Sequence, residues 1–242
     1  MKALQKLTKG KKYGIFLDFE GTQFSHEIIA IGAVKCKLTP NGHIIQQKNY
    51  PTYKAYVKCL GQIGRIVTQL TSITEDILKQ GITLEQMFDD FSAFLSVDPK
   101  ECVFFVFGSN DHKMIVDSIS YSKPCNALFG YSVCKNMVDY LAFISQYCKD
   151  DNGNTYSLTS YLKLFGGTPF GVSHDPLNDA LDLMNLYRQV YISKEKLKEE
   201  YIKVLSQQRN FPEPVKEIIS MLISGKNVTP KEFERKIKKF LE

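Results

Sequence analysis

The sequence predicts an α/β protein: a mixed five-stranded sheet covered by helices, with a helical extension at the C-terminal end. Three observations carry this. Residues 13–49 hold three apolar stretches joined by short polar connections, the pattern of an antiparallel meander. An amphipathic helix then leads into an all-apolar stretch, and a helix between two strands makes a parallel crossover. After residue 110 helical and strand patterns alternate, which together with the meander implies one mixed sheet under helical layers.

Tyr13-Gly14-Ile15-Phe16-Leu17-Asp18-Phe19-Glu20 reads as a short apolar strand ending in two carboxylates. Strand side chains alternate between faces, so Asp18 and Glu20 point the same way. Ionised carboxylates in an apolar run are costly unless a cation or strong donors compensate. Two hard oxygen ligands one strand period apart suit Mg²⁺ or Mn²⁺. Taken alone, the pair is more simply an exposed strand end with both acids in water, since most acids are solvated.

Residues 21–26 read as a loop, and 27–38 as a long apolar strand. Thr39-Pro40-Asn41-Gly42 is a tight turn. A third strand is expected over 43–49, around Ile44 and Ile45. Residues 50–83 read as loops with a short helix near 74–79. Leu84, Met87, Phe88, Phe91, Phe94 and Leu95 then repeat at helical spacing behind a Thr83 cap. Cys102-Val103-Phe104-Phe105-Val106-Phe107 is apolar throughout, as in a strand buried on both faces. Helices are expected over 111–121, 138–148, 157–164 and 176–192, and a short strand over 127–134.

The chain has 242 residues, enough for one large domain with an appendage. Residues 1–192 are expected to form the main domain and 193–242 a basic helical extension with breaks at Pro212, Pro214 and Gly225. No apolar run approaches the roughly 20 residues of a membrane span, and residues 1–12 read as a basic leader rather than a secretory signal. The six cysteines lack C-x-x-C spacing, which predicts a reduced, cytoplasmic protein. Residues 1–12 carry five Lys and no acid, and residues 191–242 twelve Lys/Arg against eight Glu. The body between them is therefore net acidic, as suits a metal cleft with phosphate-attracting margins; Lys-rich helical surfaces read equally well as simply solvated.

Two further carboxylates and a histidine complete the chemistry-bearing set. Asp111 follows the all-apolar strand, where open α/β sheets place their sites, though a plain helix N-cap would also explain it. In His174-Asp175-Pro176-Leu177-Asn178-Asp179, Asp175 and Pro176 mark a helix start. His174 then lies in the preceding loop and Asp179 near the first turn, so both can face one cleft wall. Taken alone, a loop His is more often structural or merely exposed.

Asp18-Phe19-Glu20, Asp111 after an apolar strand, and His174-x-x-x-x-Asp179 resemble the DEDDh 3′→5′ exonuclease family. The stretches 27–34 and 171–180 resemble its second strand and third motif, so the resemblance covers about residues 13–190. Within the family the chain most resembles the branch of small-RNA- and histone-mRNA-trimming enzymes and KapD-like proteins, with Phe107 where that branch usually has Trp.

The resemblance implies an RNase H-like fold and two Mg²⁺ or Mn²⁺ ions held by Asp18, Glu20, Asp111 and Asp179. Two divalent ions would cancel four acids whose pairwise repulsion is about 4 kcal/mol at 4 Å. It also implies a two-metal hydrolysis in which His174 is the general base, histidine's ordinary pKa of about 6.5 leaving it available. Thr22, in the loop beside the acids, is the candidate substrate contact. The expected activity is removal of nucleoside 5′-monophosphates from the 3′ end of single-stranded RNA or DNA. The alternatives are an idle nucleic-acid-binding module, a polymerase-associated proofreading subunit recruiting its partner through 193–242, and an oligoribonuclease-like degrader of very short RNAs.

Overall fold

The computed structural model describes residues 2–207 and 210–242. The chain forms two compact units: one runs up to Ala142 and includes Ser157–Ile192, and the other joins Phe143–Tyr156 to Ser193–Glu242.

The basic leader is not wholly irregular: Lys2–Thr8 forms α1, anchored by Leu4, which is fully buried. Strands β1 (Tyr13–Gly21) and β2 (Ile28–Lys37) pair antiparallel, and β3 (Thr52–Tyr56) adds to the far side of β2. The third strand of the meander thus lies later than expected. Residues 43–49 make only a bridge from Leu38 to Ile44, because their polar half (Gln46 to Asn49) has no alternation to bury. In β3, by contrast, Tyr53 and Ala55 both pack on the core.

Helices α2 (Arg65–Thr71) and α3 (Glu75–Lys79) follow; the second is the short helix expected near 74–79, capped by the Thr74 hydroxyl, and the first is unanticipated. Helix α4 (Leu84–Leu95) is capped by the Thr83 hydroxyl and buries Leu84, Met87, Phe88, Phe91 and Leu95. Strand β4 (Cys102–Val106) is buried along its whole length and runs parallel to β1.

Helices α5 (Asn110–Ser122) and α6 (Ala127–Lys135) lead to the short strand β5 (Met137–Asp139), parallel to β4. Residues 127–134 are therefore helix where a strand is expected. Gly130 lies so close to Phe88 and Ile119 that a Cβ there would sit 2.8 Å from each. Packing against those two side chains selects the helix, overriding a locally ambiguous apolar run. The strand takes the start of the helix expected over 138–148, leaving α7 (Tyr140–Ile144). Helices α8 (Leu158–Leu164) and α9 (Pro176–Ile192) complete the first unit.

The sheet order is β3-β2-β1-β4-β5. One face packs on α4, α5 and α6 through Ile15, Leu17, Phe104 and Phe91. The other meets α9 through the buried rings of Phe16, Phe105, Tyr140 and Tyr187.

In the second unit, α10 (Lys194–Gln207), α11 (Glu213–Ile223) and α12 (Pro230–Leu241) follow the expected breaks. Glu200 is buried there between Lys196 and Lys203, at 2.9 and 2.8 Å. All six cysteines are free thiols. No helix among the described residues is long and apolar enough to cross a membrane.

Candidate active site

Within the first unit, Asp18, Glu20, Asp111, His174 and Asp179 line one cleft of about 430 Å³. Three separate stretches of chain deliver them: the end of β1, the first turn of α5, and the loop running into the first turn of α9. No Lys or Arg is among the described residues that line it.

Asp18 and Glu20 stand on the face of β1 that looks toward α9. The Glu20 side chain is only 15% exposed, so the solvated strand end does not describe it. Asp111 is not the helix cap. Ser109 holds that position, and Asp111 lies inside the first turn, buried, its Oδ1 accepting the Phe19 N–H at 3.1 Å. The turn that sets it is held by Asp139, whose Oδ1 accepts from Gly108 N–H and Ala142 N–H, both at 3.0 Å.

The start of α9 follows the predicted capping. Asp175 Oδ1 accepts from the Leu177 and Asn178 amides at 3.1 and 3.3 Å. His174 adopts a left-handed backbone conformation (φ 64°), a costly state for a non-glycine residue. There its N–H reaches Asp179 Oδ2 at 2.9 Å, and its Nδ1 lies 4.0 Å from Glu20 Oε1. Donor atoms of Glu20, His174 and Asp179 all fall within 4.8 Å of one another.

Two residues unremarked in the sequence lie where the sheet meets the start of α9. Gly32 on β2 lies opposite Asp18, and a Cβ there would fall 2.1 Å from the Pro176 carbonyl carbon and oxygen. The backbone of α9 therefore rests directly on the sheet beside Asp18. Glycine inside an apolar strand is a known sign of close backbone approach, and was the available signal. The second residue is Lys54 on β3, whose Nζ pairs with Asp175 Oδ2 at 2.5 Å. No local pattern marks it.

Thr22 is placed differently from expectation. It is 2% exposed, and its hydroxyl accepts the Glu27 N–H at 2.9 Å and bonds Ser25 Oγ at 2.7 Å. The side chain is committed to the β1–β2 loop and does not line the cleft.

Gathering four carboxylates without a cation has an electrostatic consequence. Burial, with Asp179, Asp111 and Asp175 nearby, pushes Glu20 up to about 8. Burial lifts Asp111 to about 7 despite the amides it accepts from. Asp18 is held well above the usual carboxylate range by burial and then by Asp111, Glu20 and Asp179. Asp179 is raised by burial, opposed by the His174 N–H. An all-oxygen, strongly acidic donor set that resists ionising by itself fits hard divalent cations.

Solved structures with this fold include the nuclease domain of 3′hExo, described as a DEDDh family member bound to rAMP. It is 20% identical with a TM-score of 0.60, covering 75% of this chain and 92% of that one. A full-length 3′-exonuclease is 19% identical, TM-score 0.59, covering 77% of this chain and 62% of that one. E. coli Exonuclease I in complex with a dA16 oligonucleotide is 12% identical, TM-score 0.56, covering 86% and 45%. The chain spans 62% and 64% of the length of the full-length 3′-exonuclease and of cell-death related nuclease 4. These likenesses establish the RNase H-like exonuclease fold. No curated protein sequence matches the chain. The RNase T family model, described as Exonuclease, matches residues 15–187, so the chain belongs to the exonuclease family expected from its motifs.

Proposed function

We propose that this nuclease is a metal-dependent 3′→5′ exonuclease of the DEDDh type. It hydrolyses terminal phosphodiester bonds of single-stranded RNA or DNA and releases nucleoside 5′-monophosphates. The observation that carries this reading is the convergence of four carboxylates and one imidazole in a cleft with no Lys or Arg among the described residues that line it.

Asp18, Glu20, Asp111 and Asp179 would hold two divalent ions, of which Mg²⁺ and Mn²⁺ suit an all-oxygen donor set. When bound, such ions lower the pKa of water and stabilise charge on the phosphate and leaving oxygen. The protein's own contribution is positional. The Phe19 N–H fixes Asp111, and the His174 N–H fixes Asp179. With Nδ1 turned toward Glu20, Nε2 of His174 takes the proton from the attacking water. Water oxygen bonds to phosphorus as the P–O3′ bond breaks. The penultimate nucleotide keeps its 3′-oxygen, which gains a proton, and the terminal nucleotide leaves with its 5′-phosphate. The left-handed His174 backbone is the strain this arrangement carries.

Solved relatives of the fold are described with a histone mRNA stem-loop, with rAMP and with single-stranded DNA, which supports a nucleic-acid 3′ end as substrate. The six free thiols suit a reducing, cytoplasmic setting. Residues 1–192 carry the activity in this reading, and 193–242 are the candidate partner-binding segment.

The test is a product time course on matched RNA and DNA oligomers, labelled at each terminus in turn, with Mg²⁺ or Mn²⁺. Stepwise loss from the 3′ end with mononucleotide release is expected. Binding without hydrolysis under either ion would leave an idle nucleic-acid-binding module.

A further inference from the structure

We propose that Lys54 is a positioning residue: paired with Asp175, it holds the start of α9 so that His174 and Asp179 face Asp18 and Glu20. The inference rests on the exonuclease reading for its consequence, but on geometry alone for its cause.

Asp18 pairs with Gly32, and Gly32 with Lys54, across β1, β2 and β3. Residues paired directly across strands project from the same face. The three therefore form one rung beneath the first turn of α9. Gly32 in the middle admits the Pro176 backbone, Asp18 stands on one side, and Lys54 reaches up on the other. Its Nζ meets Asp175 Oδ2 at 2.5 Å and lies 5.5 Å from the centre of the Tyr56 ring.

Asp175 has two jobs that conflict. One oxygen caps α9 through the Leu177 and Asn178 amides, and its carbonyl accepts the Asp179 N–H at 2.9 Å. Its charge also lies close enough to Asp18 and Glu20 to repel both. Uncompensated, this carboxylate gains by turning to water, to which a third of its side chain is already exposed. That movement would uncap the helix and release the turn in which His174 is held left-handed. Lys54 is the cation that keeps the oxygen on the amides. Asparagine at 175 would cap without needing it, since the amide oxygen accepts the same bonds and carries no charge.

The experiment uses the full chain in four forms: wild type, Lys54→Met, Lys54→Arg, and Lys54→Met with Asp175→Asn. Steady-state hydrolysis of a single-stranded oligomer with Mg²⁺ is read alongside amide hydrogen exchange of the metal-free protein. Lys54→Met should lower kcat about tenfold to hundredfold, as loss of a supporting partner typically does, with KM within about threefold. It should also speed exchange at His174 and Asp179 while 183–190 stay protected. Lys54→Arg should keep most of the rate, and Asp175→Asn should return most of what Lys54→Met loses. An unchanged kcat, a loss that neither second change repairs, or unaltered exchange at 174 and 179 overturns the proposal. If the wild type hydrolyses nothing, the exonuclease reading fails by itself, and the exchange data still decide the role of Lys54.

Discussion

Replacing Gly32 with alanine tests whether the two halves of the cleft are held together by backbone contact. The new methyl would lie 2.1 Å from the carbonyl carbon and oxygen of Pro176 and 2.3 Å from the Leu177 nitrogen. Ordinary contact begins near 3.4 Å, so α9 must withdraw by roughly 1.3 Å, the difference between 3.4 and 2.1. Backbone atoms cannot swing aside as a side chain can. Overpacking of this kind costs about 1–3 kcal/mol. Against a native stability of at least about 5 kcal/mol, the variant stays more than nine-tenths folded at 25 °C. The rate should suffer far more, because a misplacement of about 1 Å between reacting groups costs around a hundredfold. The assay pairs urea unfolding with single-turnover hydrolysis under saturating Mg²⁺. Gly14→Ala on β1 is the control: its methyl meets only the ends of Cys36 and Leu38, at 3.2–3.4 Å, and should leave the rate within about threefold. A folded Gly32→Ala enzyme with wild-type turnover would refute the claim that α9 must rest on the sheet at this point.

Three further outcomes follow from the cleft. Asp18→Asn should abolish Mg²⁺-dependent hydrolysis yet leave the metal-free protein at least as stable, since burial and the neighbouring Asp111, Glu20 and Asp179 oppose ionisation of Asp18, a cost that a neutral amide does not carry; a clear drop in metal-free melting temperature would contradict this. His174→Ala should cut the rate by two or more orders of magnitude, the usual reach of general-base catalysis, with Mg²⁺ affinity within about threefold by calorimetry. Lost affinity would make His174 a ligand instead of a base. In EDTA, stability should fall as pH rises from about 4 to about 8. Glu20 and Asp111 keep protons in the folded chain that the unfolded chain has released, so the slope is negative, about 1.4 kcal/mol per pH unit for each group. Urea melts at pH 5, 6 and 7 read it directly, and stability rising over that range would reverse the sign of the electrostatics.

Much of the fold was legible because its signals are local. The Thr83 cap and the spacing from Leu84 to Leu95 specify α4 without reference to anything distant. Asp175 and Pro176 mark the start of α9 in the same way. Where local signals were ambiguous, the reading failed. Ala127–Lys135 is helical because Gly130 fits against Phe88 and Ile119, partners that no window around residue 130 contains. The third strand moved to Thr52–Tyr56 because Tyr53 and Ala55 find a core to enter.

The site divides along the same line. The sequence by itself singled out the candidate groups for the proposed chemistry: carboxylates at 18, 20, 111 and 179 and an imidazole at 174, in an order and context that resemble one family. Only the tertiary structure decided that they share a cleft, that Thr22 turns away into its own loop, and that α9 rests on the sheet at Gly32 with Asp175 paired to Lys54. Chemical identity is a property of each residue. The approach of α9 to the sheet depends on a missing Cβ and an ion pair between residues 121 apart, and distance along the chain hides both.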